Sequence, residues 1–571
     1  MKSILRQSAA IVLALGIAVP GSAQAESNPG AYLAGRQASF DSDFETAARY
    51  YVQALAEDRD NPALMENVVH SQLALGQIDR AHPVATRMEQ LQLRSQVAHM
   101  VTVARLVRDK EYDPLLERPR EELGIGPLMD GLIDAWSRMG AGQVSEAMAA
   151  FDAVANENGL RGFAMYHKAM ALASVGDFEG AEAIFAEDEG ALTTVSRRAA
   201  LARAEILSQL ERNQDALTML EEVFGARIDP GLGDVASRLA DGQTIPFTHV
   251  RSVSDGIAEV FFTIGAALNG EAADDYVLLY ARVANYLRPD HIDSLLLTAN
   301  LLETLGQYEL AVATYKQVPA GTPDHHAAEL GRAESLRRAA KPDAAIEVLE
   351  QLANDYPDLS LAHSALGDLH RQQENYAAAA ISYDRALELT EEGDPSKWFV
   401  LYARGISHER LKQWELAEAD FREALKLNPD QPQVLNYLGY SLVEKETKLD
   451  EALSMIERAV AARPDSGYIV DSLGWVLFRL GRYDEAVQHM ERAVELMPVD
   501  PVVNDHLGDV YWAVDRLREA EFQWKRALSF IDPDDVDGEA DPNRIRRKLE
   551  VGLDTVLAEE GAEPLTVANG D

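Results

Sequence analysis

In residues 467–500 the apolar positions fall into two helical stripes. Val470, Leu473, Gly474 and Leu477 recur at i, i+3, i+4 and i+7 and predict one amphipathic helix. Gly481 closes it. Tyr483, Ala486, Val487, Met490 and Val494 form the stripe of a second helix, which Pro498 ends. The pattern returns fourteen times at a spacing close to 34 residues, in units beginning near 28, 62, 96, 128, 162, 197, 258, 292, 326, 360, 398, 432, 467 and 501. A period of this length predicts a solenoid, because one helix pair cannot bury its own apolar face and must stack on its neighbours.

The most regular mark is an alanine early in the second helix: Ala47, Ala81, Ala147, Ala181, Ala216, Ala311, Ala344, Ala379, Ala417, Ala452, Ala486 and Ala520. Two units depart from it, with Leu115 and Val277 in that place. A small residue belongs where paired helices approach most closely, so these alanines pack rather than react. Residues 231–257, with Gly231, Gly233, Gly242 and Pro246, break the period. They predict an irregular linker between an N-terminal array (28–230) and a C-terminal array (258–534). Smaller slips fall at Glu392–Lys397 and Glu444–Lys448. After the last unit, Asp541 as N-cap and Pro542 in the first turn predict a closing helix over 541–560, with the stripe Ile545, Leu549, Leu553 and Val556. Such a helix, apolar on one face and charged on the other, closes the exposed core of a solenoid.

Composition narrows the function. A chain of 571 residues is too long for one compact core, a limit that a repeat array escapes by growing in one dimension. Its net charge of −41 repels phosphate backbones and anionic lipid, so no nucleic-acid partner is expected. Lys2 and Arg6, the apolar run Ala9 to Val19, and Ala23-Gln24-Ala25 have the order of a secretory signal peptide over 1–25. Cleavage after Ala25 and a periplasmic location are the expectation. No later run reaches the ~20 apolar residues of a membrane-spanning helix, so direct membrane insertion is not expected. Cysteine is absent, which excludes disulfides, thiol catalysis, thiolate metal sites and a lipid-modified cysteine.

Leu-Gly in the first helix, Ala and a large residue in the second, and Pro at the end resemble the tetratricopeptide repeat (TPR) over nearly all of 28–534. The resemblance implies an all-α helix-turn-helix solenoid, a right-handed superhelix of about fourteen repeats with a C-terminal capping helix. Asn436-Tyr-Leu-Gly-Tyr440, Tyr468-Ile-Val-Asp-Ser-Leu-Gly-Trp475 and Asn504-Asp-His-Leu-Gly-Asp509 are similar to the exported TPR proteins of Gram-negative bacteria. That group includes adaptors for periplasmic C-terminal processing proteases and proteins tied to envelope integrity. The resemblance therefore implies a scaffold that binds a protease or client in its groove, or a structural component associated with peptidoglycan or an export assembly.

In such units the first helix lines the groove, and places 2, 5, 9 and 12 face a bound segment. These predict a partner-binding surface of Tyr402, Asn436, Tyr440, Tyr468, Asp471, Trp475, Phe478, Asp505, Asp509 and Trp512, flanked by Phe399, Ile406, Glu409, Gln433, Val443 and Val502. Tyr and Trp would anchor apolar side chains there, and Asn would bond to peptide backbone. The alternative is that Trp475 and Trp512 pack between neighbouring first helices. Places 2, 5, 6 and 9 of the last four units hold no basic residue, so a free acidic C-terminus is not the expected ligand.

No catalytic or cofactor site is expected. The acidic stretch 532–541 fails as a calcium loop, since Gly538 at position 6 puts Pro533 at position 1 and Arg544 at position 12. His325-His326 has no third ligand in metal spacing and reads as a surface turn. Gly124-Ile-Gly126 follows no strand and is not a nucleotide fingerprint. H-E-x-x-H, G-x-S-x-G and a phosphate loop are absent.

Overall fold

The computed structural model describes residues 29–187, 197–225, 230–531, 540–562 and 565. The expected signal peptide and most of the acidic stretch 532–541 lie outside the described residues. Among those described there is no strand, only one isolated bridge between Asn269 and Ala272, and the rest is helix and turn. Helices begin at 29, 62, 96, 127, 161, 197, 292, 325, 360, 397, 432, 467 and 501, each within one residue of the predicted unit starts. The unit expected at 258 starts earlier, at Val253, where Ser252 caps the helix by accepting from the Asp255 N–H.

The repeating alanines sit in the contact predicted for them and are fully buried, with one correction. In the helix Pro342–Asp355 the buried residue is Ala345, not Ala344, so the pattern there is shifted by one. The glycine of the first helix makes the matching close approach. A Cβ on Gly508 would lie 2.4 Å from the Trp524 ring, so only glycine lets the two helices meet. The second helix of the unit at 96 is broken into Tyr112–Leu116 and Arg120–Leu123, with Pro114 and Pro119 unable to sustain one continuous helix.

The chain divides into two compact units, residues 1–345 and 346–571. The boundary expected at 231–257 is thus not where the division falls. Packing explains why. The helices Val253–Leu268 and Asp274–Leu287 turn back onto the first helices of earlier repeats: Pro62–Ala74, Gln96–Asp109, Pro127–Gly140 and Arg161–Ser174. They therefore fill the face that the N-terminal repeats would present to a partner. Tyr276 donates to Gln96 at 2.9 Å, the Arg282 guanidinium to the Ala74 carbonyl at 2.8 Å, and Tyr166 to Glu259 at 2.8 Å. Glu259 has no exposed surface and also accepts from Arg198 at 2.7 Å. Burial pushes its carboxyl up, but Arg198 and His291 outweigh burial and hold it well below the usual range. Tyr166, Arg198 and His291 all meet Glu259, so the inserted helix brings no unpaired charge into the core.

In the second unit the pairs Ser360–Gln372/Tyr376–Leu389, Lys397–Arg410/Trp414–Leu427, Pro432–Glu444/Leu449–Ala462, Gly467–Arg479/Tyr483–Leu496 and Pro501–Ala513/Leu517–Phe530 stack in order. An arginine on the second helix reaches back to the preceding turn at regular intervals. Arg385 meets Pro357 and Asp358, Arg458 meets Pro429 and Asp430, and Arg526 meets the Pro498 carbonyl. The expected closing helix is two, Pro542–Val551 and Leu553–Glu560. Asp541 caps the first as predicted, accepting from the Asn543 N–H. Gly552, at φ +84°, makes the break, and a Cβ there would lie 2.5 Å from the Trp512 ring.

Candidate functional site

In the second unit the helices Lys397–Arg410, Pro432–Glu444 and Gly467–Arg479 bound a cleft of about 800 Å³. Pro432 starts the middle helix, and its end runs into a turn in which Glu446 and Lys448 take left-handed φ angles of 53° and 51°. This is the slip at Glu444–Lys448, and it brings Glu444 and Lys445 to the cleft's edge. Of the ten predicted residues the cleft gathers four: Asn436, Tyr440, Tyr468 and Asp471. Tyr468 is 49% exposed. Asn436 is only 7% exposed, and its amide oxygen has no hydrogen-bond partner among the described residues. One turn earlier the Gln433 amide oxygen is in the same condition. A buried acceptor without a donor costs roughly 1–3 kcal/mol, which a ligand N–H would recover.

The other predicted residues go elsewhere. Tyr402 packs against Phe421 and Tyr437, and burial pushes its hydroxyl up to about 12. Phe478 is buried against Tyr483 and Trp475 and is corrected to the core. Trp475 stacks on His506 at 4.0 Å and donates to Glu444 at 3.0 Å, beside the cleft but not lining it. Asp505 and Asp509 are occupied by the chain itself. The Lys548 ammonium, on Pro542–Val551, donates to Asp505 at 2.8 and 2.9 Å and to Asp509 at 2.7 Å. Burial, then Asp509 alongside, pushes the Asp505 carboxyl up against the pull of Lys548. Trp512 donates to Asp554 at 2.9 Å and lies under Gly552. Asp505, Asp509 and Trp512 are thus corrected from an open groove to a closed end.

Residues that the place-counting passed over complete the cleft: Arg410, Tyr437, Ser441, Glu444, Lys445 and Asp500. The irregular loop at Glu444–Lys448 was the available signal for two of them. Asp471 accepts from His506 at 3.1 Å, a partner from the next repeat that spacing alone does not expose.

A second cleft, of about 750 Å³, lies in the first unit around Gly124-Ile125-Gly126. There Asp130 accepts from the Ile125 and Gly126 N–H groups at 2.9 and 3.1 Å. A carboxylate already holds the amides that a phosphate would need. His325 and His326 open the helix His325–Arg338 and do not form a surface turn; His326 is buried and its ring lies 3.0 Å from the Pro323 carbonyl. Among the described residues no group of three His, Asp or Glu side chains is arranged to hold a metal, and no helix is long and apolar enough to cross a membrane.

Helix pairs in sequential register, with one face left open beside polar and aromatic side chains, define the class of helical-repeat scaffolds. The chain carries tetratricopeptide repeats: models of that repeat match residues 330–395, 398–431 and 444–501. Over 175 residues it is 28% identical to a TPR repeat-containing protein of Pseudomonas aeruginosa, covering 30% of this chain and 28% of that one. Over 168 residues it is 24% identical to the human protein O-mannosyl-transferase TMTC1, covering 29% of this chain and 19% of that one. Among solved structures it is similar to the Cut9–Hcn1 hetero-tetramer of APC/C, at 15% identity and TM-score 0.38, covering 92% of this chain and 96% of that one. The chain spans less than a third of either of the two curated relatives. The repeat array is a scaffold suited to protein–protein interaction.

Proposed function

We propose that this chain is an exported, periplasmic scaffold that holds an extended segment of a partner protein in the cleft between residues 409 and 503. The observation that carries the reading is an open face beside a buried, donor-less Asn436 amide and a half-exposed Tyr468. The comparable face of the N-terminal repeats is filled by 253–287, and the last repeat is closed by 542–560. Export is supported by the basic, apolar and A-x-A order of residues 1–25. The likeness of the C-terminal repeats to exported Gram-negative TPR proteins supports an adaptor role, with a periplasmic C-terminal processing protease or its substrate as the partner.

A photo-crosslinking residue at Tyr468 tests the cleft in cells. A discrete protein adduct at that position, absent when the same residue replaces the exposed Phe522 on the outer helix Leu517–Phe530, is the expected result. Equal labelling from both positions overturns the cleft. Mass spectrometry of the native protein should find Glu26 at the amino terminus, and an intact Met1 in the cytoplasm overturns export.

A further inference from the structure

The last repeat displays how this groove takes a cation. Its places 5 and 9 are Asp505 and Asp509, and between them Lys548 has no exposed side-chain surface. The ammonium also lies 5.7 Å from the centre of the Trp524 ring. An ammonium taken out of water keeps its charge only where acceptors meet its N–H groups, and two carboxylates with an aromatic face provide that setting.

The cleft one repeat earlier keeps part of this arrangement, with Trp475 in place of the second carboxylate and no lysine reaching the first. Its place 5 is Asp471, the counterpart of Asp505, and Glu409, Glu444 and Asp500 stand around it. Tyr437, Tyr440 and Tyr468 supply the aromatic surface. Two cations line the cleft with these four carboxylates, while Arg479 approaches Glu444 at 3.8 Å and His506 bonds to Asp471 at 3.1 Å from beside it. Lys445 lies 4.9 Å over the Trp414 ring, and Arg410 stands 3.9 Å from Glu409. The orphaned Asn436 oxygen adds an acceptor that lacks a donor. The lining thus carries four carboxylates against two cations, an acidic balance that complements a Lys- or Arg-bearing chain.

We propose that the partner segment is basic: an extended stretch carrying Lys or Arg, one of whose cations is met by Asp471 and Tyr468 as Lys548 is met by Asp505 and Asp509. This rests on the reading of the cleft as a segment-binding site. Random twelve-residue peptides displayed against the immobilised full chain test it. Peptides enriched on the native chain, but not on Tyr468→Ala, should carry Lys or Arg well above the input frequency. The tightest should weaken tenfold or more with Asp471→Asn, which keeps a polar group beside His506. They should weaken less than twofold with Glu423→Gln plus Glu495→Gln, exposed carboxylates on outer helices that control for the net charge of −41. Enriched peptides that need Tyr468 but are acidic or uncharged overturn the basic preference and leave the cleft standing. Enrichment indifferent to Tyr468 and Asp471 overturns both.

Discussion

Trp475 and Trp512 occupy the same place in successive repeats, yet their surroundings give them different work. Trp512 is sealed by the chain's own end: its indole bonds to Asp554, faces Trp524 at 5.4 Å and fits against Gly552. Trp512→Ala should therefore open space under the closing helices and cost roughly 1–3 kcal/mol in a denaturant melt. Trp475 is also half-buried, on His506 and Phe478, but holds no closing helix, so Trp475→Ala should cost less. An unchanged melt for Trp512→Ala would remove the closing contact. Place-counting read both as groove anchors because it fixes which way a side chain leaves its helix, not what later folds over it. The covering group, Lys548, is 43 residues from Asp505 and looked like one charge on a solvated face. Tyr468 and Asn436 were legible because nothing distant covers them, whereas Asp471 stays at the cleft although His506 of the next repeat bonds to it.

At the scale of the element, helix starts, the closing helix and the packing alanines follow from local pattern, since period and caps are properties of a few residues. The return of 253–287 onto the N-terminal repeats is not local. A helix face covered by another repeat and one covered by an inserted pair demand the same apolar stripe. The available signal was width: Ile257 to Val260, Phe261 and Ile264 bury the helix Val253–Leu268 on more than one side, beyond what a single seam needs. His167 reports on this insertion. Burial lowers its pKa to about 4, against a smaller upward pull from Glu259, so the ring is neutral in the fold. Its two nitrogens already face Trp136 at 3.4 Å and Thr263 at 3.1 Å. Between pH 6.5 and about 4 the unfolded chain binds a proton there that the folded chain refuses, so stability falls as pH falls through that window. His167→Gln should flatten that slope in melts of the first unit relative to the native chain. An identical slope would place the titration elsewhere.

For the whole molecule, repetition separates stability from binding. Two stretches of repeat face are consumed by the chain's own helices, one by 253–287 and one by 542–560, and the interval between 409 and 503 keeps its face. The repeats there are held by neighbours on either side, so a change inside one pair should be felt by adjacent pairs and fade beyond them. Ala486 tests this. It is fully buried on the helix Tyr483–Leu496, whose Met490 fills the space where a Gly474 Cβ would be. Ala486→Leu adds three carbons to a contact with no room, at a cost of roughly 1–3 kcal/mol. Hydrogen exchange should accelerate over 467–530 and fall back towards native rates before 397. Exchange that rises equally along the chain would mean one cooperative body.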